Sequence, residues 1–136
     1  MSYAASLSLQ TAVFDRLSQD AVVAGLVGTA IYDAIPSGTL PSLYVTLGAE
    51  EVADNSDVIE AGATHDFNVS VITDASGFSQ AKALAGAVCD ALIDAPLTLS
   101  RGALTGLWFL KAKAARSGAN DLRRIDLKFR ARVDAI

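Results

Sequence analysis

The segment Leu122-Arg-Arg-Ile-Asp-Leu-Lys-Phe-Arg-Ala-Arg-Val-Asp-Ala135 alternates apolar and polar side chains. A period of two places successive side chains on opposite faces of a β strand. The apolar set, expected to face a core, is Ile125, Leu127, Phe129, Ala131 and Val133. The thirteen steps between its first and last residues, at ~3.3 Å each, span ~43 Å, more than the ~37 Å diameter expected of the domain. The pattern therefore predicts a long strand that either curls strongly or projects as an arm.

A second strand is predicted immediately before it, over Gly106–Ala114. Its apolar face is expected to carry Trp108, Leu110 and Ala112, with Lys111 and Lys113 on the other face. The Ser-Gly-Ala-Asn segment between the two strands has the composition of a tight turn. The two segments together predict a long C-terminal β-hairpin.

Upstream of this hairpin the periodicity changes between helix and strand. Apolar residues at helical spacing predict one helix over Ser6–Gln19 and a second that begins near Ser79 and ends before Pro96. Alternation predicts strands around Leu43–Leu47 and from Thr64 onward. We therefore expect a single α+β domain over residues 1–136: an antiparallel-rich sheet with two main helices packed on one face, and the hairpin.

The charges are segregated along the chain, although the net charge is only −4. Nine of the eleven lysine and arginine residues follow residue 100, and no lysine or arginine lies between Arg16 and Lys82. The basic residues expected on the outer face of the hairpin are Lys111, Lys113, Arg124, Lys128, Arg130 and Arg132. Segregated charge of this kind favours an interaction surface.

The polar segment from Glu50 to Gly62 is predicted to be a long acidic loop, because it shows no sustained periodicity. Its candidate residues are Glu50, Glu51, Asp54, Asp57 and Glu60. An acidic segment of this length is a candidate interaction surface.

The sequence contains no recognisable catalytic or metal motif. With one histidine and one cysteine, His65 and Cys89, it supplies neither a zinc site nor an internal disulfide. His65 lies on the apolar face of a predicted strand and is interpreted as a satisfied edge or core histidine. Cys89 lies within a predicted helix without a basic neighbour and is interpreted as a small core residue. No apolar run reaches the ~18 residues of a membrane span. We expect no enzyme activity, no cofactor, no metal and no membrane partner.

The order of the segments resembles the small tail completion, or tail terminator, proteins of long-tailed bacteriophages and phage-like gene transfer agents. The resemblance begins with Leu9-Gln-Thr-Ala-Val-Phe-Asp-Arg-Leu17 and includes His65-Asp-Phe-Asn-Val-Ser-Val71. It continues through Ala91-Leu-Ile-Asp-Ala-Pro-Leu-Thr-Leu99 to Leu127-Lys-Phe-Arg-Ala-Arg132. Family members often place proline directly before a Tyr-Val pair, whereas here Ser42 and Leu43 intervene.

The resemblance implies a structural virion protein, assembled in the bacterial host cytoplasm and located at the head-proximal end of the tail. It implies a homo-oligomer, a hexameric ring, that caps the tail tube, stops its polymerisation and joins it to head-completion proteins. DNA would pass through the lumen without sequence-specific binding. In such a ring the acidic loop could meet basic residues of a neighbouring subunit or line the lumen, and both placements stay open. The alternatives are another head–tail connector component or a nucleic-acid-binding module that uses the C-terminal basic hairpin.

Overall fold

The computed structural model describes residues 2–56, 61–93, 96–118 and 121–135. The helices are α1 (Ser6–Gln19), α2 (Ala21–Val27) and α3 (Ser79–Leu92). The strands are β1 (Ile31–Tyr32), β2 (Leu43–Asp54), β3 (Gly62–Thr73), β4 (Ala103–Ser117) and β5 (Leu122–Asp134). None of the helices in these residues is long and apolar enough to cross a bilayer.

The five strands form one sheet in the order β1-β2-β3-β5-β4. Only the short β1 pairs in parallel with its neighbour, and every other pairing is antiparallel. The predicted α+β class, the two main helices and the C-terminal hairpin are therefore confirmed. The hairpin does not project as an arm, because β3 pairs with β5 from Arg123 to Asp134.

The main core lies between one face of the sheet and the helices. From β5, Phe129, Ala131 and Val133 are fully buried in it, as the alternation predicts. The buried side of α3 consists of small and branched residues, among them Leu84 and Val88. The small side chains allow the helix to lie close to the sheet. We call this covered side the helix face of the sheet and the opposite side the outer face.

The outer face is not covered by a helix, but one end of it is buried. Tyr44 and Ile72 form a small second cluster there with Ala30, and Leu40 and Leu122 pack against it. The rings of Tyr32 and Tyr44 are 5.9 Å apart. The rest of the outer face is mostly polar, and it carries the basic residues of the hairpin together with Trp108.

The prediction of a long acidic loop from Glu50 to Gly62 is wrong for the first part of that segment. Glu50, Glu51 and Asp54 belong to β2, which pairs with β3 as far as Asp54. A bulge between Leu47 and Glu50 shifts the register and hides the strand periodicity in the sequence. Asp57 and Glu60 lie outside the described residues.

The predicted apolar face of β4 is also wrong. Trp108 is 51% exposed and pairs with Arg130 on the outer face, whereas Ala112 pairs with Leu127 on the helix face. Leu110 lies at a bulge between Phe109 and Lys111. The extra residue reverses the alternation, so that residues on opposite sides of the bulge change faces.

Candidate interaction surface

Sheet pairing places the outer-face residues in rows that run across four strands. One row contains Glu51, Asp66, Arg130 and Trp108, on β2, β3, β5 and β4 in that order. The next row towards the buried end contains Asn68, Lys128 and Lys111. Side chains directly opposite each other in a sheet are close enough to interact, so these rows decide which charges are balanced within the chain.

Arg130 is the best-paired cation on this surface. Its Nε and Nη2 atoms donate to the two carboxylate oxygens of Asp66 at 2.8 and 2.9 Å. This two-point geometry is the strong form of an arginine–carboxylate contact. The hydrogen bond from Arg130 is the main cause that lowers the pKa of Asp66, against the opposing effect of partial burial.

The other two arginines predicted for this surface are also paired within the chain. Arg124 Nε donates to Asp126 at 2.7 Å, and Arg132 Nε donates to Asp134 at 2.6 Å. Ser70 is almost fully buried beneath the Arg124 pair and donates to the same Asp126 oxygen at 2.6 Å. All three predicted arginines therefore balance acids of their own subunit.

The three lysines predicted for this surface differ from the arginines in their pairing. Within the described residues, neither Lys111, Lys113 nor Lys128 forms an ion pair. Lys111 lies directly opposite Lys128, a like charge, and Lys113 lies opposite Asp126, which Arg124 and Ser70 already contact. The structure thus brings the six predicted basic residues to one face, but only its lysines offer charge to another molecule.

The acidic residues of β2 point in two directions. Glu50 pairs with Phe67 and faces the helices, where its carboxylate accepts the Ser6 hydroxyl at 2.6 Å. Partial burial opposes its ionisation, but hydrogen bonds from Ser6, Tyr3 and His65 outweigh this and lower the pKa of Glu50. Glu50 therefore helps to attach the N-terminus of α1 to the sheet and is not a free surface charge.

Glu51 lies on the outer face and is exposed. It lies opposite Asp66, which carries a like charge and is already paired with Arg130. Asp54, at the end of β2, accepts the Ser56 hydroxyl at 2.7 Å. Of the three acids described here, Glu51 is the one whose charge is left without compensation in its own row.

His65 and Cys89 occupy separate places in the fold. His65 is fully buried on β3 with Nδ1 3.4 Å from Glu50, and its Nε2 has no hydrogen-bond partner among the described residues. Cys89 is half-buried on α3, and burial raises the pKa of its thiol. The described residues contain no group of side chains that could hold a metal ion.

Sequence reasoning missed an apolar patch on β4. Trp108, Phe109 and Leu110 are consecutive and all are partly exposed. Phe109 still touches the core, with its ring 6.0 Å from that of Phe129. A run of four large apolar residues between Gly106 and Lys111 was the available signal, because strict alternation cannot bury all four on one face.

Comparison with known proteins agrees with this fold. Residues 11–134 match the model of the family described as tail completion protein gp17. One chain in a solved structure of the virion of a native gene transfer agent particle is 62% identical, with a TM-score of 0.93. The alignment covers 98% of the present chain and all of that one. Comparison with curated proteins gave no significant match. Because the family match spans nearly the whole sequence, the chain belongs to the tail completion protein gp17 family.

Proposed function

We propose that this protein is a structural virion component that caps the tail tube as a ring, ends tube polymerisation and joins the tail to head-completion proteins. The observation that carries the proposal is the family match over residues 11–134. The likeness to a chain of a gene transfer agent virion supports the same location, at the tail of a phage-like particle. In this function the protein acts by assembly and not by catalysis.

A ring requires a heterologous interface, in which one patch of each subunit meets a different patch of the next. The sheet has two different free edges, β4 with its lysines and the distal part of β2 with Glu51. Opposite charges on the two patches attract neighbours in one direction, while like patches repel each other. This polarity supports a closed ring, and the family resemblance gives six as the expected number of subunits.

The internal pairing of the arginines changes which charges would act between subunits. Reversal of Arg130 or Arg132 would break contacts with Asp66 or Asp134 and so disturb the monomer itself. Reversal of Lys111 and Lys113 leaves every described ion pair of the monomer in place. The interface role is therefore assigned to the lysines, and the lysine variants are the informative ones.

The same pairing argues against the alternative of a nucleic-acid-binding module. Affinity for duplex DNA depends mainly on how many phosphates are neutralised by lysine and arginine. With Arg124, Arg130 and Arg132 held by acids of their own chain, the outer face offers few free cations. A ring that lets DNA pass through its lumen without sequence-specific binding needs no strong cationic surface.

The proposal is tested in particles produced with and without this protein. Without it, we expect tails of irregular length and heads that lack tails, and restored expression should return uniform joined particles. Electron microscopy of the tail-length distribution is the measurement, with a Lys82→Ala chain as a control on the helix side of the subunit. Joined tails of uniform length in the absence of the protein would refute the proposed function.

A further inference from the structure

Both edges of the sheet have backbone groups without partners in the described residues. β4 pairs with β5 along one side only, over its fifteen residues. Among the described residues, β1 covers β2 only at Val45 and Thr46, so the stretch from Leu47 to Ala53 has no strand beside it on that side. Natural sheets rarely leave a long edge of this kind uncovered, because it is a template for pairing with another strand.

The two edges also carry unbalanced charges of opposite sign on the same face. At the β2 edge, Glu51 lies opposite Asp66, and at the β4 edge, Lys111 lies opposite Lys128. Like charges directly opposite each other destabilise a sheet. Glu51 and Lys111 each lie on an edge strand, so the other side of each residue faces away from the described strands of its own sheet. An opposite charge on a neighbouring molecule could balance each of them there.

The strand directions allow the two edges to join. Adjacent strands in the order β2, β3, β5 and β4 are antiparallel, so β4 runs opposite to β2. When β4 of one subunit is placed beside β2 of the next without turning the sheet over, the new pair is again antiparallel. Glu51 and Lys111 then lie on the same outer face of one continuous sheet.

The apolar patch lies on the strand that would be covered. Trp108, Phe109 and Leu110 are at the middle of β4, and each exposes more than a third of its surface. Tryptophan and other aromatic residues are typical of the buried centre of an interface. Trp108 lies on the outer face beside Arg130 and Phe109 on the helix face beside Phe129, so a strand added beside β4 would shield part of each side chain while it satisfies the backbone of both edges.

We propose that the ring interface is a β-strand addition between copies of this chain, in which the β4 edge of one subunit pairs antiparallel with the Leu47–Ala53 edge of β2 in the next. Lys111 and Lys113 then face Glu51 across the new pair. This inference rests on the proposed ring and specifies how its neighbours join. The partner is a second copy of the same chain.

Disulfide trapping in assembled particles tests the pairing. In a Cys89→Ala background, Glu51→Cys is combined with Lys111→Cys or with Lys113→Cys. Within one subunit, β2 and β4 are separated by three strand spacings, about 14 Å, whereas a disulfide requires Cα atoms about 4.4–6.8 Å apart. Any bond formed between these positions therefore joins two subunits.

We expect mild oxidation to give a ladder of covalent oligomers on non-reducing gels for at least one of the two pairs. The matched control, Glu51→Cys with Lys82→Cys on the exposed side of α3, should stay monomeric. If particles contain the chain but neither edge pair cross-links, the strand addition is wrong while the ring can stand. If wild-type particles lack the chain, the proposed function itself fails.

Charge reversal gives a second readout that does not depend on cysteine chemistry. Glu51→Lys and Lys111→Glu are each expected to weaken ring formation about fivefold per interface, measured by mass photometry. The double variant restores the pair with exchanged signs and should recover most of the loss. Equal assembly of the two single variants and the wild-type protein would overturn the proposed contact.

Discussion

The carboxylate of Glu50 joins β2 to the imidazole of His65, whose Nδ1 atom lies 3.4 Å from Glu50 Oε2 in a fully buried position. The other oxygen accepts the Ser6 hydroxyl at 2.6 Å. A single side chain thereby connects the start of α1, β2 and β3. The contact holds the first helix against the sheet at the end where the β2 edge is open.

We predict that Glu50→Ala lowers the free energy of unfolding by about 1–3 kcal/mol, because it leaves Ser6 and His65 without their acceptor. Glu50→Gln keeps a carbonyl oxygen for Ser6 and should cost less. Urea denaturation of the purified variants measures both values. Equal losses for the two substitutions would mean that the hydrogen bonds contribute nothing beyond the charge.

Acid should destabilise the fold through the same carboxylate and through Asp66. The pKa values of Glu50 and Asp66 are lowered in the folded state. The stabilisation is therefore fully present above their unfolded values, near pH 4, and is lost as the pH falls through the folded values. Thermal midpoints recorded between pH 7 and pH 2.5 should fall most steeply below pH 4.

A paired set of variants identifies the source of that slope. Asp66→Asn and Arg130→Gln each remove one side of the same contact, so either should flatten the acid limb of the profile. The double variant should add little to either single change. Profiles that keep the wild-type slope would show that the Asp66–Arg130 pair is not the origin of acid sensitivity.

Two of the elements could be predicted from the sequence because their patterns are uninterrupted. β5 alternates without a bulge, and its predicted inward residues are buried. α1 begins and ends at the predicted residues, Ser6 and Gln19. In both cases one face of the element is buried along its whole length. The spacing of apolar residues in the sequence therefore predicts directly which side chains are packed in the core.

The errors in the predicted strands occur where a β-bulge interrupts the alternation of apolar and polar residues. The bulge after Leu47 made the remainder of β2 resemble a loop, and the bulge before Lys111 reversed the faces of β4.

The ion pairs could not be predicted from the sequence for another reason. Asp66 and Arg130 are 64 positions apart, and only the register of β3 with β5 places them opposite each other. A shift of one residue would send Arg130 to the helix face.

The aromatic cluster at the centre of the sheet sets a third prediction. Phe129 is fully buried, with its ring 5.6 Å from Phe67 and 6.0 Å from Phe109. Phe129→Ala should cost about 3–5 kcal/mol because it leaves a cavity between the sheet and the helices. Phe129→Leu keeps most of the volume and should cost about 1–2 kcal/mol. Urea denaturation distinguishes the two, and equal losses would contradict a cavity mechanism.

Trp108 provides the last prediction, because it separates the stability of the single chain from the stability of the proposed ring. It is the only tryptophan, and 51% of its surface is exposed on the β4 edge. Trp108→Ala should change the free energy of unfolding of the monomer by only about 0.5 kcal/mol. If β4 is covered in the ring, the same change should weaken assembly by about 2 kcal/mol per interface, roughly 30-fold. The control is Leu7→Ala on α1, which is 75% exposed on the opposite side of the sheet and should leave assembly unchanged.

In the wild-type protein the tryptophan emission should shift to shorter wavelength as rings form, since burial removes the indole from water. Unchanged emission in fully assembled rings would place the β4 edge outside the interface.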